Sequence, residues 1–449
     1  MRQSRFHRAG LLVLFILSFS LMFLGFYRNQ WLAARPKKFS TFQKDTEAYV
    51  IARMVLSRQS GVFSDGGLLG WGDVIQTNVH EEDYQRQYEV YFDGLSFKTY
   101  WVKESNPGFQ GIFFSILDGI SPFTPLNNLR FFRMFTSGLF AATLAAIILW
   151  FHLESGWLSA VLILTSILSS QWMTLFGRNL FFISGIFYIP MLVLLFRFRN
   201  ETNETPLSNS RLFWLVFGSI LLKCLFNGYD FILPTLGMVA SPIVYYGLLR
   251  KWDTRTFIRR FLIVVAASLA AIFASFVVLT LQVALASGSF QDGMNIIIKT
   301  INRRTVSNDP NLPSIYERAV SVSYWSVLKI YLTESYFFKA KVPYFAIFIL
   351  FAVISVIFGL TMRKYLGTDS EASKGYALLI TTWFSFLSPL SWYIIFKSLA
   401  YFHTHMNYLP WHMPFTLFGF GMCGYAISSF FSQAKYKVLA LRSRKPIHQ

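Results

Sequence analysis

Ten uncharged apolar runs constrain this chain more than any other feature, because each is close to the roughly 20 residues a helix needs to cross a hydrocarbon core about 30 Å thick. They fall at 9–27, 134–151, 155–177, 179–196, 212–228, 231–249, 261–284, 342–362, 375–396 and 409–432, the fifth carrying Lys223 near its end. In lipid the backbone must satisfy its own polar groups, so such runs fold as helices, and the fold class expected is an all-α polytopic membrane protein with about ten spans. Only 14% of the residues are charged, against about 25% in a soluble domain, which excludes a water-soluble enzyme and a disordered chain. The run at 9–27 is longer than the apolar region of a signal peptide and is followed by no convincing cleavage site, so it reads as a retained signal anchor.

The net charge of +19 is spread between the apolar runs rather than gathered in one basic stripe, so it argues for membrane topology and against nucleic acid. Lys and Arg resist translocation, and they recur in alternate loops: Arg2, Arg5 and Arg8; Arg197, Arg199 and Arg211; Arg250, Lys251, Arg255, Arg259 and Arg260; Arg363, Lys364 and Lys374; then the tail from Lys435. Both termini are therefore expected in the cytoplasm, and the long loops 28–130 and 285–341 on the opposite face, the periplasm of a bacterial inner membrane. No internal repeat of convincing period stands out, and residues 200–210 read as a polar linker, so 1–449 is expected to form a single membrane domain. Cys224 and Cys423 lie far apart within apolar runs and read as small packing residues, with neither a disulfide framework nor a zinc signature.

Polar chemistry gathers on the expected outer face. The first long loop opens with Asp45-Thr46-Glu47 ahead of a helix whose apolar stripe is Ile51, Met54 and Val55, with Arg53 and Arg58 facing elsewhere, as suits a helix lying in the interface plane. Residues two apart do not share a helix face, so Asp45 and Glu47 are not a matched pair; Asp45 is the better general base, and the same residues read equally as an N-cap and a first-turn acid. The glycine-rich stretch 64–72 lacks the ending of a nucleotide P-loop and reads as a turn. A second turn, 105–111, leads to a second interfacial helix before Arg130.

The short outer loops bring Arg178 and Asn179; Lys223, Asn227, Tyr229 and Asp230; and Lys397, Tyr401, His403, His405 and Asn407. Lys223, Asn227 and Asp230 share one face if the helix persists, and Lys223 needs a partner, a cavity or a snorkel to the surface. His403 and His405 have a spacing open to zinc but no third ligand nearby; hydrogen bonds to a polar or anionic ligand suit them better. No cofactor is indicated by the sequence, and a divalent cation is compatible with it. In the second long loop Lys299, Arg303 and Arg304 suit a phosphate, or equally a basic rim over anionic lipid.

This arrangement resembles the GT-C superfamily of membrane glycosyltransferases: a cytoplasmic amino terminus, one span, then a long outer loop that starts with an acidic motif, here Asp45-Thr46-Glu47, and carries interfacial helices. It also resembles a set of uncharacterised bacterial inner-membrane proteins through the stretches 177–180, 227–230 and 403–408. The chain departs from the superfamily in having no soluble carboxy-terminal domain and no second acidic metal motif in a later loop. The resemblance implies an inverting transfer of a hexose or pentose from a polyprenyl-phosphate-linked donor to a glycan or lipid acceptor. Asp45 and Glu47 would then be the catalytic acids, with Lys223, Arg178, Arg303 and Arg304 holding the donor phosphate. Asn179, Asn227, Tyr229, Asp230, Lys397, Tyr401, His403, His405 and Asn407 would hold sugar and acceptor. An O-antigen ligase or polymerase usually places its largest outer loop late, whereas here it follows the first span. A transporter or flippase should show inverted repeats and broken helices, and neither is evident in the sequence.

Overall fold

The computed structural model describes residues 2–73, 81–202, 204–305, 321–337, 339–362 and 370–443, with the side chains at several segment ends lying outside the description. Eight helices among the described residues are long and apolar enough to cross a membrane: His7–Arg28, Pro125–Ser155, Asn209–Asn227, Ile232–Leu249, Thr254–Ser287, Tyr344–Thr361, Glu371–Ile395 and Leu409–Ser432. The protein is thus an all-α, multi-pass membrane protein by the length and apolarity of its helices.

The remaining two expected spans, 155–177 and 179–196, take a different form. The first becomes a 13-residue helix, Trp157–Ser169, followed by the short helix Gln171–Phe176; the second becomes the 16-residue helix Ser184–Arg199. At 1.5 Å per residue the longer two reach roughly 20 and 24 Å. The break occurs at Ser170, whose extended backbone ends one helix while its hydroxyl accepts from Met173 N and contacts His412 Nε2 at 3.1 Å. Asn179 then ties the irregular stretch beyond, its Oδ1 accepting from the amides of Phe181 and Phe182 at 2.8 and 3.0 Å. Irregular backbone among membrane helices is tolerated where protein covers it, and residues 171–183 are buried except for the half-buried Arg178.

Between the first long helix and Pro125 the chain builds a layer over one end of the bundle. It contains the helices Pro36–Thr41, Lys44–Ser60, Glu81–Phe92 and Phe109–Ile120 and a two-stranded antiparallel sheet that pairs Gly70–Gly72 with Tyr100–Val102, Trp71 opposite Trp101. The helix Lys44–Ser60 does not lie open on an interface: ten of its residues are buried, Arg53 among them. Arg53 donates to the carbonyls of Gly61 at 3.1 Å, Val62 at 2.7 Å and Ser64 at 2.7 Å, so it knits the glycine-rich turn together instead of facing outward. Gly66, at φ +64°, seats this turn against the long helix Thr254–Ser287: a Cβ there would stand 2.0 Å from the carbonyl oxygen of Gln282. Gln282 in turn donates to the carbonyls of Gly66 and Pro107 at 3.0 and 2.9 Å.

The opposite end of the bundle is basic and ion-paired. Arg199 meets Glu154, and Glu201 is clasped by Arg250 at 2.7 Å and Arg260 at 2.6 Å. Several charges that the sequence offers as topology signals therefore also staple helix ends to the polar linker.

Candidate functional site

A cavity of about 400 Å³ lies where the layer meets the helix ends, lined by Asp45, Thr46 and Tyr49 of the helix Lys44–Ser60, by Trp71, Tyr84, Lys103, Ser105 and Asn106 elsewhere in the layer, and by Phe181 and Phe182 of the irregular stretch. Asp230 and Phe231, Trp392, and the segment from Ser398 to Asn407 close it. Of the segments expected to act together, those around 45, 230 and 403–407 meet here, whereas the stretch near 180 contributes Phe181 and Phe182 instead of the expected Arg178 and Asn179.

Asp45 sits in the first turn of the helix Lys44–Ser60, whose N-cap is Gln43, so Asp45 is not the capping residue. Its Oδ1 accepts from the amide of Thr46 at 2.7 Å. Burial raises its pKa above the ordinary carboxylate range; the Thr46 amide and the positive charges offered by His405 and Lys103 pull the other way without winning. Burial likewise lowers the pKa of His405, against the attraction of Asp45. His403 and His405 stand with ring centroids 5.5 Å apart. Among the described residues no three His, Cys, Asp or Glu side chains are grouped to hold a metal ion.

Lys103, which sequence reasoning passed over, supplies a cation to this cavity. Its ammonium lies 4.1 Å from the ring centroid of Tyr49 and 4.5 Å from that of Phe181, a cation–π setting. Tyr49, Trp71, Tyr84, Phe181, Phe231 and Trp392 form aromatic walls, with Tyr49 edge-on to Trp71 at 4.6 Å and Phe231 against Trp392 at 5.3 Å. Two buried polar atoms of lining side chains, Trp71 Nε1 and Asn106 Oδ1, have no hydrogen-bond partner among the described residues. A signal for Tyr49 was present in the sequence: it lies four residues after Asp45 on one helix face.

Other expected site residues stand behind this wall. Glu47 is fully buried, bound by Arg133 and accepting from Tyr88 OH at 3.0 Å. Lys223 does not snorkel: it is buried, and its Nζ donates to the backbone carbonyls of Gly228 at 2.8 Å and Asp230 at 2.7 Å, where the helix Asn209–Asn227 has already ended at Gly228. A cation there suits the negative end of the helix dipole. Asn227 pairs with both backbone groups of Ile183, and Asn179 Nδ2 donates to Thr46 Oγ1 at 2.9 Å directly behind Asp45. Arg178 donates to Phe39 O at 3.0 Å with its guanidinium 3.9 Å over the Phe39 ring.

Asp230 keeps a place in the cavity, accepting from Asn106 Nδ2 at 3.5 Å. Tyr229 packs instead on Phe276 and accepts from Ser275. Asn407 lines the cavity while accepting from Trp392 Nε1 at 3.3 Å. Lys397 donates to Val322 O at 2.8 Å, and Tyr401 is half-buried beside Phe402. Arg303 and Arg304 fall in the last turn of the helix Phe290–Thr305, and their side chains lie outside the described residues.

The arrangement offers a carboxylate of raised pKa, an ammonium and two imidazoles within aromatic walls, groups able to stack on a flat ligand and to move a proton beside a developing anion. Comparison of the chain with protein-family models, with curated proteins and with solved structures gave no match.

Proposed function

We propose that the protein is an integral-membrane glycosyltransferase that moves a sugar from a polyprenyl-phosphate-linked donor to a glycan or lipid acceptor, with inversion, at the periplasmic face of a bacterial inner membrane. The observation that carries this reading is the Asp45 cavity, in which a half-buried carboxylate, the Lys103 ammonium and aromatic side chains converge from sequence-distant segments. The orientation is supported by the concentration of Arg at the far end of the bundle, where Arg199, Arg250 and Arg260 gather.

In the proposed reaction the acceptor hydroxyl approaches the anomeric carbon while the Asp45 carboxylate takes its proton. The new carbon–oxygen bond forms as the bond from the anomeric carbon to the phosphate oxygen breaks, and the electron pair leaves with the polyprenyl phosphate. Lys103 meets the negative charge that grows on that phosphate, a role for which an ammonium already inside the cavity needs no reorganisation. Tyr49, Trp71 and Trp392 present flat apolar faces to the sugar, with His403, His405, Asp230 and Asn407 as its polar contacts. Glu47, Lys223, Asn179 and Asn227 hold the shape of the cavity from behind, and Arg178 ties the irregular stretch after Gln171–Phe176 to the helix Pro36–Thr41.

The test is release of polyprenyl phosphate by the purified protein in lipid nanodiscs, supplied with polyprenyl-phosphate-linked hexoses and pentoses and a glycan or lipid A acceptor. Acceptor-dependent release that drops by at least about 100-fold in Lys103→Met supports the proposal. Release unaffected by that substitution, or binding of no lipid-linked sugar by the wild-type protein, contradicts it.

A further inference from the structure

A second concavity lies at the other end of the bundle, between the end of the helix Ser184–Arg199 and the start of the helix Asn209–Asn227. Its volume is about 550 Å³, and its walls are Val193, Phe196, Trp214 and Leu215 together with Arg197, Asn200, Ser210 and Arg211. We propose that this groove binds the phosphate headgroup of an anionic phospholipid from the surrounding bilayer, with Arg197 and Arg211 on the phosphate and an acyl chain along the Val193, Phe196 and Leu215 floor.

Charge is the first argument. The arginines nearby that face the protein are matched: Arg199 to Glu154, and Arg250 and Arg260 to Glu201. Arg197 and Arg211 are exposed, and among the described residues neither guanidinium has an ion-pair or hydrogen-bond partner. Two forked donors on one concave wall fit the oxygens of a phosphodiester better than they fit water alone.

Helix electrostatics add a second argument. The helix Asn209–Asn227 has no acidic residue in its first turn, and its N-cap Ser208 already serves the amide of Arg211. A negative charge held beside that turn would complement the positive end of the helix, a role no side chain fills.

Shape and setting commit the occupant to lipid. The groove is amphipathic along its length, apolar toward the helix interiors and basic at the helix ends, as a headgroup-and-chain ligand requires and a free anion does not. Trp214 stands 61% exposed at the rim, the position an indole takes at the boundary between hydrocarbon and headgroups. Basic pockets between membrane helices bind anionic headgroups on this physical basis. The site is separate from the Asp45 cavity and does not depend on the reading of that cavity.

The experiment uses the full-length protein in nanodiscs that contain a fixed small fraction of phosphatidylglycerol or phosphatidylcholine with brominated acyl chains. The signal is the part of the tryptophan quenching that disappears in Trp214→Phe. Brominated phosphatidylglycerol is expected to quench Trp214 at severalfold lower mole fraction than brominated phosphatidylcholine, and an Arg197→Gln/Arg211→Gln double variant to abolish the preference. Equal quenching of wild-type Trp214 by both lipids overturns the proposal without recourse to any arginine variant. So does a preference that soluble glycerol phosphate competes away, since the site would then select a free phosphate.

Discussion

Arg133, on the helix Pro125–Ser155, closes onto the carboxylate of Glu47 through both its Nε and Nη2, while Tyr88 donates to the same carboxylate from the other side. Asp45, two residues earlier on the same helix, opens into the cavity instead. One short acidic motif therefore divides into an acid held by partners and an acid facing the cavity, and the two can be told apart by how their neutral variants unfold. Glu47→Gln leaves the half-buried Arg133 guanidinium without its counter-charge and is expected to cost about 2–3 kcal/mol, read as a lowered thermal midpoint of the purified protein.

Asp45→Asn should do the reverse. Because burial raises its folded-state pKa, the folded protein holds this proton more tightly than the unfolded chain does, so ionised Asp45 subtracts stability as pH rises from the unfolded carboxylate pKa through the folded one. Removing the charge is expected to leave the thermal midpoint at neutral pH unchanged or raised, and to flatten its decline over that pH window. A lowered midpoint would mean that the carboxylate is held by partners that favour its charge.

Sugar transfer should rise with pH on its acid limb as Asp45 loses its proton, with the limb above the ordinary carboxylate range. The positive charge of Lys103 pulls the Asp45 pKa down, so Lys103→Met is expected to shift the limb of the residual activity toward higher pH. Profiles of kcat/KM against pH for the two proteins check the direction; an unshifted or downward limb would separate Lys103 from Asp45.

Lys223 and Lys103 are both cations near the cavity, and they should behave differently. Lys223→Met leaves the carbonyls of Gly228 and Asp230 without a donor and is expected to destabilise by about 2 kcal/mol, with transfer by the folded fraction changed by less than about fivefold. Lys103→Met should leave the thermal midpoint nearly intact while transfer falls by about 100-fold. Thermal unfolding and initial rates measured on the same preparations separate the two.

Gly66→Ala tests how the layer is mounted. A left-handed backbone and a carbonyl only 2.0 Å from the new Cβ should loosen the layer by about 1–3 kcal/mol, seen as faster proteolysis between residues 60 and 105. Gly119→Ala, where nothing stands within 4 Å of the new atom, should leave that rate unchanged.

The membrane-spanning helices were legible because a bilayer demands long uncharged runs, and eight of the ten such runs form helices of spanning length. The break at Ser170 was not, because nothing charged or helix-breaking marks it: its hydroxyl is partnered by His412, 242 residues away, and hydropathy does not register a tertiary partner. The convergence of residues 45, 230 and 403–407 followed from their common place at helix ends, where the bundle itself brings segments together. Lys103 escaped notice because it sits in a long loop among other polar residues, and only the pairing of Tyr100–Val102 with Gly70–Gly72 carries it over the rings of Tyr49 and Phe181. Helix periodicity sets Arg53 off the apolar stripe of its helix, and the turn at 61–68 folds back to cover it, a tertiary contact that periodicity does not register.

Whether Asp45 is the group that takes the acceptor proton is decided by a matched comparison of Asp45→Asn with Glu47→Gln. Both variants, purified and reconstituted with a polyprenyl-phosphate-linked sugar and acceptor, are assayed below the thermal midpoint of the weaker one. Asp45→Asn is expected to be folded and at least about 100-fold slower, and Glu47→Gln to transfer sugar in proportion to its folded fraction. Transfer at the wild-type rate by Asp45→Asn would contradict that role for Asp45.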